Sequence, residues 1–268
     1  MTSDERDAIA TLIGTGTSTG VPMINCDCAT CNSSDPRDTR RRTSAVVRTK
    51  RGNILIDTTP DLKDQLRSHN IENCIAVLYT HHHFDHIGGF DDLRLLNFAQ
   101  KKEIPIYGTA ETLNAIRTMF AYAFDETPTD SSSPRIRPQE IAYGENFDVM
   151  GFKWTPLHLK HGRMAVTAFL SGDWAYCTDC KEIPGESKRA IRSVTNLVLD
   201  GLREREHPMH LSFDEAIDMA NELETKRTWL THIAHDQTHR EIMKRTPANI
   251  EPGFDGLSIP IRLAQTEN

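Results

Sequence analysis

"LYTHHHFDHIGG", Leu78 to Gly89, closes an apolar run and then delivers His81, His83, Asp85 and His86 within six positions before a glycine pair. The run "IAVLYT", Ile75 to Thr80, reads as a buried strand because it is short, apolar and partly β-branched. A strand end holds side chains in a fixed crevice, where open α/β sheets take their ligands. Imidazole and carboxylate are donors that suit zinc, manganese or iron. Four such groups crowded behind a buried strand point to a metal site rather than to a solvated polar turn.

Outward from this stretch, short apolar runs alternate with helical patterns. Strands are expected at Thr11–Gly14, Ser44–Thr49, Asn53–Asp57, Ile104–Gly108, Phe147–Leu159, Ala165–Ser171, Trp174–Thr178, Asn196–Leu199 and Arg227–Thr231, with "DGLSIPI" as a last one. Helices are expected near Asp61–His69, Phe90–Gln100, Glu111–Phe124, Glu186–Ser193, Phe213–Glu224 and His239–Arg245. This order suits an α/β chain whose sheets are covered by helices. "FDETPTDSSSPRIRPQE", Phe124 to Glu140, is rich in Pro, Ser and charge and reads as a surface loop, or more sharply as a flap over a site. No linker divides the chain, so one domain over residues 1–268 is expected.

With 38% hydrophobic and 26% charged residues the composition is that of an ordinary soluble globular protein, without an apolar run long enough for a membrane span. "MTSDERDAIA" has neither the basic start nor the apolar core of a secretory signal, which makes the cytoplasm the expected compartment. There a tight cysteine cluster reads as a metal site rather than a disulfide framework. A net charge of −7 offers no broad nucleic-acid surface, though a small anion could still meet local positive charge such as a metal. The sequence allows a homodimer.

"HHHFDH" resembles the H-x-H-x-D-H signature of the metallo-β-lactamase-fold hydrolases. The resemblance implies an αββα four-layer sandwich holding two metals between its sheets. It also implies three ligands downstream: His161 in "LHLKHG", Asp179 in "AYCTDCKE" and His232 in "WLTHIAH". By that likeness His81, His83 and His161 hold one metal, Asp85, His86 and His232 the second, and Asp179 bridges them. Two divalent ions, Zn or Mn, would lower the pKa of a bridging water to leave hydroxide at neutral pH, then clamp the oxygens of a displacement. The set contains no cysteine, unlike many zinc β-lactamases. His158 rivals His161, but three positions along a strand the two face opposite ways, and Gly162 marks the strand end beside His161. His82 is expected to point away. Asp57 and Asp200 end apolar strands and read either as acceptors for ligand imidazoles or as caps.

"CDCATC" supplies three thiols, Cys26, Cys28 and Cys31, one short of a tetrahedron. His235, three residues after His232, can leave the same loop in another direction and close a Cys3His site; Cys177 and Cys180 are rivals for that place. The arrangement is similar to the cyclic-phosphate phosphodiesterases of the carbon-phosphorus lyase pathway, which also share the opening "GTGTSTGVP". Such a closed site leaves no position for substrate and implies a structural zinc. "GTGTSTG" lacks the G-K-[ST] of a phosphate loop and reads as a tight turn at the site rim. Cys177 and Cys180 read as buried thiols flanking Asp179, and Cys74 as core.

The same resemblance singles out His210, in "GLREREHPMHLSFDEA", as the histidine that approaches substrate phosphate, with His207 weaker; Asp85 joins His210 as a catalytic candidate. The expected activity is hydrolysis of a small cyclic or nucleotide-like phosphodiester. Three relatives of the fold compete. The tRNA-maturation nucleases often carry a gripping arm between the positions of His161 and Asp179, where this chain has a short strand-turn-strand. Glyoxalase II-like thioesterases usually add a helical C-terminal domain. The pyrroloquinoline-quinone biosynthesis protein B family, long viewed as a carrier, shares the cysteine cluster but has a degenerate histidine motif, whereas all four residues stand here.

Overall fold

The structure is a computed structural model, and it describes residues 8–125 and 133–266. In chain order the first strands are β1 (Ala8–Gly14), β2 (Ser44–Thr49), β3 (Gly52–Ile56), β4 (Ala76–Leu78), β5 (Ile104–Gly108) and β6 (Ile136–Glu140). Next come β7 (Phe147–Val149), β8 (Phe152–His161), β9 (Met164–Ser171), β10 (Trp174–Cys177), β11 (Asn196–Asp200), β12 (Arg227–Thr231) and β13 (Ile250–Pro252), and the last are β14 (Ser258–Ile261) and β15 (Ala264–Gln265). One sheet runs β14-β1-β2-β3-β4-β5-β6 and the other β13-β12-β11-β10-β9-β8-β15, with β7 against β8. In each, one half is antiparallel and the half that carries helices is parallel: β3 to β6 in the first, β10 to β13 in the second.

Period-two alternation explains the layering, since successive strand side chains point to opposite faces. Ile54 and Ile56 of β3 enter a core between the two sheets, where they join Trp154, Phe169, Trp174 and Tyr176; Leu55 between them faces the other way, into the core under the helices. On β11, Val198 joins the central core and Leu197 and Leu199 the opposite one. The outer layers are α1 (Leu62–Ser68), the single turn α2 (Phe84–Ile87), α3 (Leu93–Gln100) and α4 (Ala110–Met119) over the first sheet, and α5 (Gly185–Ile191), α6 (Phe213–Glu222) and α7 (His239–Arg245) over the second. The four-layer αββα sandwich expected from the motif is the observed fold. Capping boxes at Ser212/Glu215 and Thr238/Glu241 start α6 and α7 by satisfying their first N–H groups.

Three expectations are corrected. The single strand read over Phe147–Leu159 is two, broken by a turn in which Met150 and Gly151 take φ of 53° and 83°. The Phe124–Glu140 stretch is not all loop: Ile136–Glu140 pairs with β5 as an edge strand, where Pro138 costs no ladder bond on the open side; 126–132, the middle of the expected flap, lie outside the described residues. Two short strands, β13 and β15, had no sequence signal. Among the described residues no helix is long and apolar enough to cross a membrane.

Candidate metal centre

The parallel strands end on one rim, and that rim gathers the candidate ligands. β4 releases the chain into Thr80–His83, and α2 turns at once so that Asp85 and His86 fold back toward His81. The glycine pair is needed for this return: a Cβ on Gly89 would lie 2.0 Å from the Thr59 carbonyl oxygen. β8 ends at His161, β10 leads to Asp179 and β12 to His232. Asp57, Asp179 and His232 all take left-handed backbone, φ 62°, 51° and 60°, where non-glycine residues are uncommon and often mark functional sites.

Ligand-capable atoms of Asp85, His86, Asp179 and His232 lie within 4.8 Å of one another, as do those of His81, His83 and Asp179, and of His161, Asp179 and His210. Asp179 is common to all three groups. His232 Nε2 is 3.3 Å and His86 Nε2 3.2 Å from its carboxylate, and His81 Nε2 is 3.9 Å away. His81, His86 and His232 are buried, yet their Nε2 atoms have no hydrogen-bond partner. Buried polar atoms are normally paired. Imidazole lone pairs converging on carboxylates without hydrogen bonds are the donor set a divalent cation requires, so these residues fit such a pair.

The outer partners fix the rings. Asp57, fully buried, accepts from the Thr80 N–H at 2.8 Å, the Thr80 hydroxyl at 2.7 Å and His86 Nδ1–H at 2.7 Å, which aims His86 Nε2 inward. His161 donates Nδ1–H to the Met209 carbonyl at 2.8 Å. The His232 backbone N–H donates to Thr43 Oγ1 at 3.1 Å. Of the two roles left open for Asp57 and Asp200, both residues take that of acceptor. Asp200 receives the Leu211 N–H at 3.0 Å and faces His210 Nδ1 at 3.2 Å.

Charge follows this geometry. Burial depresses His81 well below the ordinary histidine value, helped by the neighbouring His86. Burial opposes a proton on His86 too, but the carboxylates of Asp179, Asp57 and Asp85 outweigh it and hold His86 well above that value. Burial likewise works against ionised Asp85, yet His86 and His232 keep its carboxyl below the usual carboxylate range. His210 is raised to about 9, because Asp200 overcomes the burial penalty. Its ring stacks on His232 at 4.6 Å and 12°, and meets His161 edge-on at 4.5 Å.

Every residue of the expected catalytic set is therefore on this rim. His158 is not: its ring packs against Tyr143 at 5.1 Å on the other face of β8. His82 is half-buried and joins no metal-capable group among the described residues. Thr43, Thr80 and Met209 carried no sequence signal, since they act through a hydroxyl or a backbone carbonyl that any local pattern supplies.

A second cluster lies behind His232. Cys26, Cys28, Cys31 and His235 place their ligand atoms within 4.8 Å of one another, with His235 Nδ1 3.3 Å from Cys26 Sγ and 3.4 Å from Cys28 Sγ. Cys28 is lowered to about 6: burial opposes this, but the Cys31 N–H and His235 stabilise the thiolate. Cys177 and Cys180, the rivals, are buried thiols raised by burial, and Cys74 is core, as read. The "GTGTSTG" turn is at the rim, with Gly16 bridged to both Arg42 and Ile233.

A family model for the beta-lactamase superfamily domain matches residues 52–233. The chain belongs to that superfamily. It is 36% identical to a diphosphatase of the PhnP family, covering 97% of this chain and 100% of that one with a TM-score of 0.90. The zinc-bound PqqB of Methylobacterium extorquens shares the fold at 18% identity and TM-score 0.72, covering 94% of this chain and 99% of that one. Over 249 residues the chain is 37% identical to an octanoyltransferase of Porphyromonas gingivalis, covering 92% of this chain and 50% of that protein. The chain thus spans about half the length of that relative. Membership in this superfamily and the likeness to a diphosphatase make a metal-dependent hydrolase the supported class.

Proposed function

We propose that the chain is a dinuclear metal-dependent phosphodiesterase acting on a small cyclic or nucleotide-like phosphodiester in the cytoplasm. His81, His83 and His161 would hold one divalent cation, Zn or Mn, and Asp85, His86 and His232 the other, with Asp179 between them. Cys26, Cys28, Cys31 and His235 would hold a structural zinc. One observation carries the reading: buried imidazole nitrogens without hydrogen-bond partners converge on the carboxylates of Asp179 and Asp85. Bound there, a metal pair would make water acidic enough to lose a proton near neutral pH and would offset charge on the phosphoryl oxygens.

The chain's own residues do the rest. Asp200 holds His210 by Nδ1, and its carboxylate favours the protonated ring. Its Nε2–H is then available for the leaving oxygen, the role of a general acid. Asp85 stays ionised, able to orient water as well as bind metal. The diphosphatase relative supports chemistry at phosphorus. The transferase relative raises acyl chemistry as a competitor, but Cys177 and Cys180, the thiols that flank Asp179 in sequence, are buried and held protonated, poor nucleophiles for acyl transfer.

The test is hydrolysis of bis(4-nitrophenyl) phosphate, a cyclic nucleotide, a dinucleoside diphosphate and octanoyl-coenzyme A, with metal content measured alongside. Asp179→Ala is expected to abolish phosphodiester turnover and to lower bound metal. His210→Ala should cut kcat by about 10²- to 10⁴-fold with metal content unchanged. Full activity in Asp179→Ala, or turnover confined to the thioester, refutes the proposal.

A further inference from the structure

At the opposite ends of the same strands lies a feature the catalytic reading does not use. β3, β4 and β5 lead toward the metal rim at their C-terminal ends; at their N-terminal ends Asn53, Ile75 and Pro105 line an open groove of about 580 Å³. In a chain of net charge −7 this groove gathers Lys50, Arg51, Lys102 and Arg137 against one carboxylate, Glu103. Glu103 offsets Arg137, whose Nε is 3.5 Å from it. Among the described residues Lys50 and Lys102 pair with no carboxylate.

The groove is also built rather than incidental. The Arg51 guanidinium donates to the Met150 carbonyl and lies 5.0 Å over the Phe152 ring, which fixes its charge in place. Beneath it the Asn53 amide donates to the Asn73 carbonyl at 3.0 Å, and Gln100 bonds both the N–H and the carbonyl of Cys74 at 3.0 Å. The floor is therefore internally satisfied and does not consume the lysines. Ile75, Pro105 and Met150 add an apolar strip beside the cations.

We propose that this groove is a second ligand site, for a small molecule that joins phosphate charge to a less polar body, the chemistry of a nucleotide. Its volume falls in the usual range for small-molecule sites, roughly 300–1,000 Å³. Unpaired ammonium groups answer the phosphates, and the strip of Ile75, Pro105 and Met150 answers the body.

Calorimetric titration of the full chain with AMP-PNP, its integrity checked by chromatography after each run, tests this, with pyrophosphate and adenosine as separate arms. The double charge reversal Lys50→Glu/Lys102→Glu, at two exposed positions that leave the fold intact, is expected to weaken AMP-PNP binding by about tenfold or more. His83→Ala, at the metal rim, should leave a binding event of unchanged affinity. Pyrophosphate and adenosine are each expected to bind more weakly than AMP-PNP. The proposal is overturned if no heat appears at millimolar AMP-PNP, or if binding is lost in His83→Ala and kept in the double variant. Adenosine binding as tightly as AMP-PNP would refute the phosphate role.

Discussion

Asp57→Asn is the sharpest perturbation of the metal centre, because it changes one atom and replaces no ligand. Asp57 Oδ1 accepts the Thr80 N–H, while Oδ2 accepts both the Thr80 hydroxyl and His86 Nδ1–H. An asparagine has one acceptor oxygen. If its NH2 takes the Oδ1 position it confronts the Thr80 N–H, leaving two buried donors face to face. If it takes the Oδ2 position, His86 must accept at Nδ1 and carry its proton on Nε2, the atom that faces Asp179 at 3.2 Å. The first loses a buried hydrogen bond, a cost of about 1–3 kcal/mol in stability, while the second reverses the direction of the Thr80 hydroxyl and His86 bonds. The second also removes the lone pair offered to a cation, and groups that orient ligands in this way are typically worth about 10- to 100-fold in metal affinity. Competition with a chelator gives the affinity, and thermal unfolding of the metal-free protein gives the stability. Unchanged metal affinity in a folded Asp57→Asn protein would refute the role assigned to Asp57.

Two further outcomes follow from other parts of the molecule. His235→Ala should lower the zinc count by one per chain and the melting temperature before it touches turnover; an unchanged zinc count overturns the structural site. His239, which caps the buried Arg40 side chain through Nδ1 at 3.5 Å, is lowered from 6.5 to about 4 by burial and by the charges of Arg40 and Arg37. A histidine depressed in this way is neutral when folded, so its contribution is whole above pH 6.5 and is lost as pH falls from 6.5 through about 4. The loss is at most about 3 kcal/mol. His239→Gln keeps an acceptor for Arg40 and should flatten that part of the stability-against-pH curve, and an unaltered acid limb in urea melts would show that another group carries it.

Much of the fold was readable because its signals are local. Both faces of β3 and β11 are covered, and their near-continuous apolar runs say so without reference to any neighbour. α7 runs over His239–Arg245, the expected span, because Thr238 and Glu241 form a capping box four residues wide. β6 was missed for the opposite reason. Its "IRPQE" has no strand character of its own and pairs because β5 presents a ladder to it. The turn at Met150–Gly151 was likewise invisible within an apolar run.

The site divides along the same line. His81, His83, Asp85 and His86 are close in sequence, and a strand end followed by one helical turn is enough to bring them together, so the chain's own order determined that a metal-binding group exists. Likeness to a family placed His161, Asp179 and His232, and the fold seats all three on that rim. Only the tertiary structure decided what holds them: Asp57 under His86, Asp200 under His210, Thr43 behind His232, and three thiols from the first loop meeting His235. Such pairs join strands that are distant in sequence, and an aspartate at a strand end looks the same whether it caps a helix, faces water or orients a ligand. What distinguishes these roles is which strand lies alongside, and that is settled by the burial of both sheet faces rather than by any local pattern.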